Sequence, residues 1–172
     1  DLAGATADFE RLVAESPSGE RTPRAAYDLA EIAGEREGEA SGLAALERAL
    51  ERYPESGPAR RVFGAVVDRL ASSGGVAAAL AWVDAVRPRL ASTGLDENVR
   101  YRRALLLRDA GDLRAARDEL VACAAAHPYP FGSLYDDALW EASQLDEALG
   151  EPARTQDLAV FGQRRACAGL AP

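Results

Sequence analysis

The chain has 172 residues, of which 48% are hydrophobic but only 6% aromatic, with a formal net charge of −8 and a pI near 4.8. That length suits one domain with a sizeable core or a short array of repeats, and the acidic balance argues against the phosphate-neutralising basic face of a nucleic-acid binder. No run of 18 apolar residues is present, so no transmembrane helix is expected. All 20 basic residues are arginine, which reads first as a codon bias rather than as a surface built for bidentate contacts. Cys123 and Cys167 make neither a disulfide framework nor a zinc site; both are expected to be buried free thiols. No signal peptide is recognisable, and the start at Asp1 rather than at methionine leads to the expectation that upstream residues have been removed, as a trimmed export signal would be.

In chain order, the pattern predicts a lone amphipathic helix over 2–16, with Phe9, Leu12 and Val13 on its apolar side, ended by Ser16-Pro17-Ser18-Gly19. A helix pair follows over 23–54. Pro23 stands near its start with Thr22 as the expected cap, Tyr27, Leu29, Ala30 and Ala33 carry the first helix, and Gly34 to Gly42 reads as a glycine-rich turn. Leu46, Ala49 and Leu50 carry the second helix, closed by Pro54. The next pair, 58–90, has Val62, Phe63, Val66, Val67 and Leu70, a turn at Ser73-Gly74-Gly75, then Leu80, Val83 and Val86. Trp82 is placed on the apolar side of this helix, and Pro88 is expected to kink it or end it early.

The third pair, 96–128, is the clearest. Ala104, Leu105 and Leu107 recur at helical spacing before the turn Ala110-Gly111-Asp112, and Leu113, Ala116, Leu120, Val121 and Cys123 do so after it. Gly111 supplies the φ > 0 position, Asp112 can cap the following helix, and Pro128 stops it. A proline-rich connection leads to the last pair, 133–168, in which Ser133 is the expected cap of a helix to Leu149 and a further helix runs past Gly150-Glu151-Pro152 to about Ala168. No strand-like alternation of useful length appears. The turn glycines Gly38, Gly75, Gly111 and Gly150 lie 37, 36 and 39 residues apart, a period that suits a helix-turn-helix repeat.

Residues that could carry chemistry are few. His127 is the only histidine; it reads as a helix-end residue interacting with the dipole rather than as a general base. Cys123 lies one turn before it, but a Cys-His pair lacks two ligands for zinc. Asp136, Asp137, Glu141, Asp146 and Glu147 form an acidic run, read as a solvated helix face rather than a cation site. Gly74-Gly75 lacks the Lys and Ser/Thr of a phosphate loop.

The Tyr101–Pro128 unit resembles a tetratricopeptide repeat through small Ala104, turn Gly111-Asp112, Leu113, small Ala116, large Leu120, small Cys123 and closing Pro128. The ending Ala49-Leu50-Glu51-Arg52-Tyr53-Pro54 is similar, whereas Val67 stands where a small residue would be expected. The resemblance implies an all-α fold: a right-handed α-solenoid of about nine helices in stacked antiparallel pairs, forming a single repeat domain over 1–172. In that family the first helices line a concave groove. Carried over repeat by repeat, one groove position falls on Tyr27, Gly64, Tyr101 and Trp140. The position one turn earlier falls on Arg24, Arg61, Asn98 and Asp137, and the position one turn later on Glu31, Asp68, Leu105 and Gln144. Arg108 lies further along.

The implied protein-binding set is therefore Arg24, Tyr27, Arg61, Asn98, Tyr101, Leu105, Arg108, Trp140 and Gln144. The aromatics could equally wedge between helices as ordinary packing. A clamp for chaperone carboxylate tails does not fit, since lysine is absent and Glu31 and Asp68 would repel a carboxylate. The resemblance implies a non-catalytic interaction module for a protein or peptide partner, with no cofactor and no nucleic acid, in the style of bacterial periplasmic or outer-membrane-associated assembly proteins. The alternatives are an intracellular scaffolding or regulatory segment of a longer chain and, further from the sequence, an enzyme.

Overall fold

A computed structural model describes residues 2–151 of the chain, and every described element is helical. The elements are α1 (Leu2–Glu15), α2 (Thr22–Glu37), α3 (Glu39–Arg52), α4 (Ala59–Leu90), α5 (Asp96–Asp109), α6 (Leu113–Ala126) and α7 (Tyr135–Leu149). The all-α expectation holds among the described residues, and the last expected helix, to about Ala168, lies outside them.

The four glycines picked out by spacing are those at which the backbone turns. Gly38, Gly75, Gly111 and Gly150 have φ of 101°, 81°, 86° and 65°, values that cost a residue with a Cβ about 1 kcal/mol or more. They make two kinds of turn. At Gly111 and Gly150 the helix closes with a paired 6→1 and 5→2 motif: Asp112 N–H donates to Leu107 O and Gly111 N–H to Arg108 O, while Glu151 N–H donates to Asp146 O and Gly150 N–H to Glu147 O. At Gly38 (ψ 162°) and Gly75 (ψ 170°) a single residue takes an extended mirror-image conformation open essentially to glycine alone.

The one-residue turn at Gly38 corrects the broad turn expected over Gly34 to Gly42. Both of those glycines lie inside helices, and they let α2 and α3 approach closely. A Cβ on Gly42 would stand 2.6 Å from Gly34 Cα and 2.9 Å from Gly34 N. Likewise Gly75, and not Pro88, interrupts α4. Pro88, which lacks the N–H that would bond back one turn, sits two residues from the helix end, and the helix continues to Leu90.

Ala59–Leu90 has the length and apolar character of a membrane span, where the sequence led to none being expected. The non-helical Gly75 divides it into two stretches of about 15 residues, roughly 22 Å each at 1.5 Å per residue, against a hydrocarbon core of about 30 Å.

The described chain divides into two compact units: one comprises residues up to Arg69 together with Pro88–Leu95, the other Leu70–Arg87 and the chain from Asp96. In the first, α1 packs on α2 and α2 on α3, burying Ala25, Tyr27, Ala30, Leu46, Leu50 and Phe63. Ion pairs of Glu31 with Arg69 (3.2 Å) and of Glu47 and Glu51 with Arg89 (3.1 and 2.8 Å) lie on its surface. Thr22 does not cap α2. It is fully buried, and its hydroxyl donates to Ser16 O, tying the end of α1 to the start of α2.

In the second unit α5 packs on α6 and α6 on α7 around Ala104, Leu107, Ala116, Leu120, Ala124, Ala138, Leu139, Ala142 and Leu145. The alternation of alanine with leucine lets the helices approach closely. Asp112 caps α6 as expected, its carboxylate accepting from Ala115 N–H at 3.1 Å. Ser133 does not cap α7. That role belongs to Glu97 of α5, buried at 6% exposure, whose carboxylate accepts from Leu134 N–H (2.8 Å) and Ser133 Oγ–H (2.7 Å), a favourable place for a negative charge at a helix N-terminus.

Candidate functional site

The residues carried over from the repeat spacing fall into both units. In the first unit Pro23 sets the first turn of α2, which places Arg24 at the surface and Tyr27 one turn on, facing inward. Arg24 is paired with Asp28 at 2.9 Å. The Tyr27 ring is only 3% exposed; its hydroxyl donates to Tyr53 O at 3.2 Å and lies 3.3 Å from Ser56 Oγ. Burial, more than any neighbour, pushes its phenol pKa up. Tyr27 is thus a packed wedge with a satisfied polar tip rather than a freely exposed ring. Arg61, in the first turn of α4, is exposed and makes no ion pair among the described residues.

These three residues nevertheless line one cleft of about 350 Å³, with Asp28, Leu46 and Val62. Tyr27, Leu46 and Val62 supply apolar walls, and the two arginines stand beside them. A smaller hollow of about 200 Å³ shares Glu31 and Leu46 with the cleft and extends to Gly34 and Arg69. Together they form a groove along α2 against the 59–69 stretch of α4, with the Glu31–Arg69 pair beside it.

In the second unit Tyr101 is half-buried and packs against the core. Its phenol is raised first by burial and then by the charges of Glu141 and Asp137. Arg108 donates to Glu141 Oε2 at 2.8 Å and to Asp109 Oδ1 at 3.1 Å, so α5 and α7 are joined by a charge pair in the row expected to face a ligand. Leu105 and Trp140 are half-buried and Gln144 is exposed. Trp82, by comparison, is buried at 8%. Asn98 Oδ1 is buried with no hydrogen-bond partner among the described residues.

The acidic run divides by environment. Asp136 and Glu147 are exposed, Glu141 pairs with Arg108, and Asp146, 2% exposed, accepts from buried Arg117 at 3.2 Å. A solvated face therefore describes only part of it.

His127 is held in a specific pair: Nε2 lies 2.9 Å from Asp96 Oδ2, which also accepts from Arg100 Nε at 2.9 Å. Burial alone would raise the Asp96 pKa, but the hydrogen bonds from Arg100 and His127 outweigh it and hold the group below the usual carboxylate value. Cys123 is buried, its thiol donates toward Glu97 O at 3.6 Å, and burial pushes its pKa up to about 12. Such a thiol remains protonated at neutral pH and is a poor nucleophile. Cys167 lies outside the described residues. Among the described residues no group of three or more His, Cys, Asp and Glu could hold a metal ion.

Sequence reasoning missed Glu97 and Asp96, whose Asp-Glu pair reads as ordinary first-turn acids of α5, and it missed Leu46 and Val62 as groove residues, since apolar helix positions read simply as core. No family model, no curated protein and no solved structure matches this chain.

Proposed function

We propose that the chain is a protein-interaction module of tetratricopeptide-like design, its helix pairs stacked as a right-handed solenoid, that holds a segment of another polypeptide along first-helix positions. The observation that supports this most is the cleft of about 350 Å³ in the first unit: Arg24, Tyr27 and Arg61, carried over from the groove positions of the family the chain resembles, line it together with apolar Leu46 and Val62. A rigid aromatic floor with arginine beside it is the composition of binding hot spots. The cleft is of the size that takes one or two side chains. The residues that could have pointed to catalysis have structural partners: Cys123 reaches a backbone carbonyl and His127 a buried carboxylate.

The test is binding of the chain to an array of short peptides, followed by titration of the peptides retained. Val62→Glu, which puts a charge on the cleft wall, and Arg61→Glu should each weaken binding by about 2 kcal/mol, or roughly 30-fold. Unchanged affinity in both variants would place binding elsewhere.

A further inference from the structure

Among the described residues two aromatic side chains stand in solvent: Tyr129 is 74% exposed and Phe131 89%. Both sit on the loop from His127 to Leu134, and this loop is fixed at each end. His127 is held by Asp96, and Ser133 and Leu134 by Glu97. Within it, the Pro128 carbonyl accepts from both Phe131 N–H (3.0 Å) and Gly132 N–H (3.1 Å). Gly132 is pressed so closely on the His127 carbonyl that a Cβ there would lie 2.0 Å from its oxygen.

A solvated ring contributes no burial energy to its own fold, and a loop already constrained in this way loses little entropy on docking. The loop therefore has the character of a preformed binding element. An anionic membrane is a poor fit for it, because the chain carries −8 overall and Asp136, five residues beyond Phe131, is exposed and makes no ion pair among the described residues.

A surface of the complementary kind is present on the same chain. The cleft along α2 offers part-exposed Pro58 and Val62 over the nearly buried Tyr27 and Leu46, and Arg61, which makes no ion pair among the described residues, stands at its side. We propose that the His127–Leu134 loop of one copy docks in the α2 cleft of a second copy, with Phe131 entering over Leu46 and Val62 and Asp136 meeting Arg61. This inference rests on reading that cleft as a peptide-binding site. Because loop and cleft are different surfaces, the contact is head-to-tail.

Sedimentation velocity over a range of concentrations tests it with the whole chain. The wild type should associate as concentration rises. Phe131→Ser and Arg61→Glu, both at exposed positions, should keep their unfolding midpoints while raising the concentration of half-association about 30-fold or more. Mixing the two variants gives the sharper readout. The Arg61→Glu copy still has a sound loop and the Phe131→Ser copy a sound cleft, so the mixture should form a one-to-one dimer and nothing larger. Pairing Arg61→Glu with Asp136→Arg in one chain should restore association. A wild type that stays monomeric at every concentration, a mixture that fails to pair, or association that survives Phe131→Ser would overturn the proposal. The cleft reading is judged separately, by titrating foreign peptides into the Phe131→Ser chain. Binding there that Arg61→Glu weakens keeps the cleft as a peptide site even if self-association fails, and no binding of any foreign peptide removes the general peptide reading, with self-association judged by the sedimentation result.

Discussion

Replacing Glu97 by alanine tests how far one buried carboxylate organises the second unit. The side chain is 6% exposed and accepts two hydrogen bonds, from Leu134 N–H at 2.8 Å and Ser133 Oγ–H at 2.7 Å. Bonds to a charged acceptor contribute about 1.5–3 kcal/mol each. Removal also takes a negative charge from the start of α7, a further loss of about 0.3–1 kcal/mol. Solvent can recover part of this by reaching the freed N–H, so the expected cost for Glu97→Ala is about 3–5 kcal/mol. Glu97→Gln keeps one acceptor oxygen but turns an amide NH2 toward the second donor, and should cost about half as much. Chemical denaturation gives the global value, and hydrogen exchange at the Leu134 amide locates it. That amide should be protected in the wild type and exchange much faster in Glu97→Ala, while core amides such as Leu120 change only in line with the global loss. A destabilisation below about 1 kcal/mol, or a Leu134 amide as protected as in the wild type, would show that the capping bond carries little weight and refute the reasoning.

Leu120→Ala, at a core position 1% exposed, should cost about 2–5 kcal/mol on denaturant unfolding, as transfer energy plus a residual cavity. Gly42→Ala should destabilise even though alanine favours a helix by about 1 kcal/mol over glycine, because the new Cβ would stand 2.6 Å from Gly34 Cα; a higher unfolding midpoint would contradict this. Asp96 is held below its ordinary pKa in the folded state, so its contribution is full above about pH 4 and is lost as pH falls through the folded value. Asp96→Asn should accordingly be less stable than the wild type by about 2 kcal/mol near pH 7, with the gap closing as the pH is lowered through the depressed folded value in a pH series of melts. Tyr27→Phe should lose about 1 kcal/mol with its bond to Tyr53 O, and Tyr27→Ala about 3–5 kcal/mol, both read from thermal melts run beside a peptide titration.

Where a residue type is forced by local geometry, the sequence revealed it. The period of the glycines located all four turns, because few other residues tolerate positive φ without cost, and Asp112 was recognisable as a cap because its partner, Ala115 N–H, lies three residues away in the same helix. Interactions set by tertiary approach left no such mark. Gly34 and Gly42 read as a turn because glycine in a polar stretch has that meaning locally; their true role is a close helix crossing, visible only once α2 and α3 face one another. Ser133 read as a cap because serine before a helix often is one, yet a carboxylate 36 residues earlier in the chain displaced it.

The row of candidate site residues shows the same boundary from the functional side. Repeat spacing assigns a helix position to Tyr27 and Tyr101 but not a direction relative to the core, since a ring at that position can lie under a groove or beside it. Tyr27 has its ring almost wholly buried and its hydroxyl bonded to Tyr53 O, yet it still lines the cleft that Arg24 and Arg61 share. The ring is therefore first a wedge that stabilises the helix packing, and only its small exposed fraction contributes to the base of the cleft. Removing the ring would damage both at once, so loss of binding in Tyr27→Ala cannot by itself assign the site. Arg61, exposed and without an ion pair among the described residues, can be changed with far less consequence for the fold. A binding groove in this unit is therefore tested at Arg61 rather than at Tyr27.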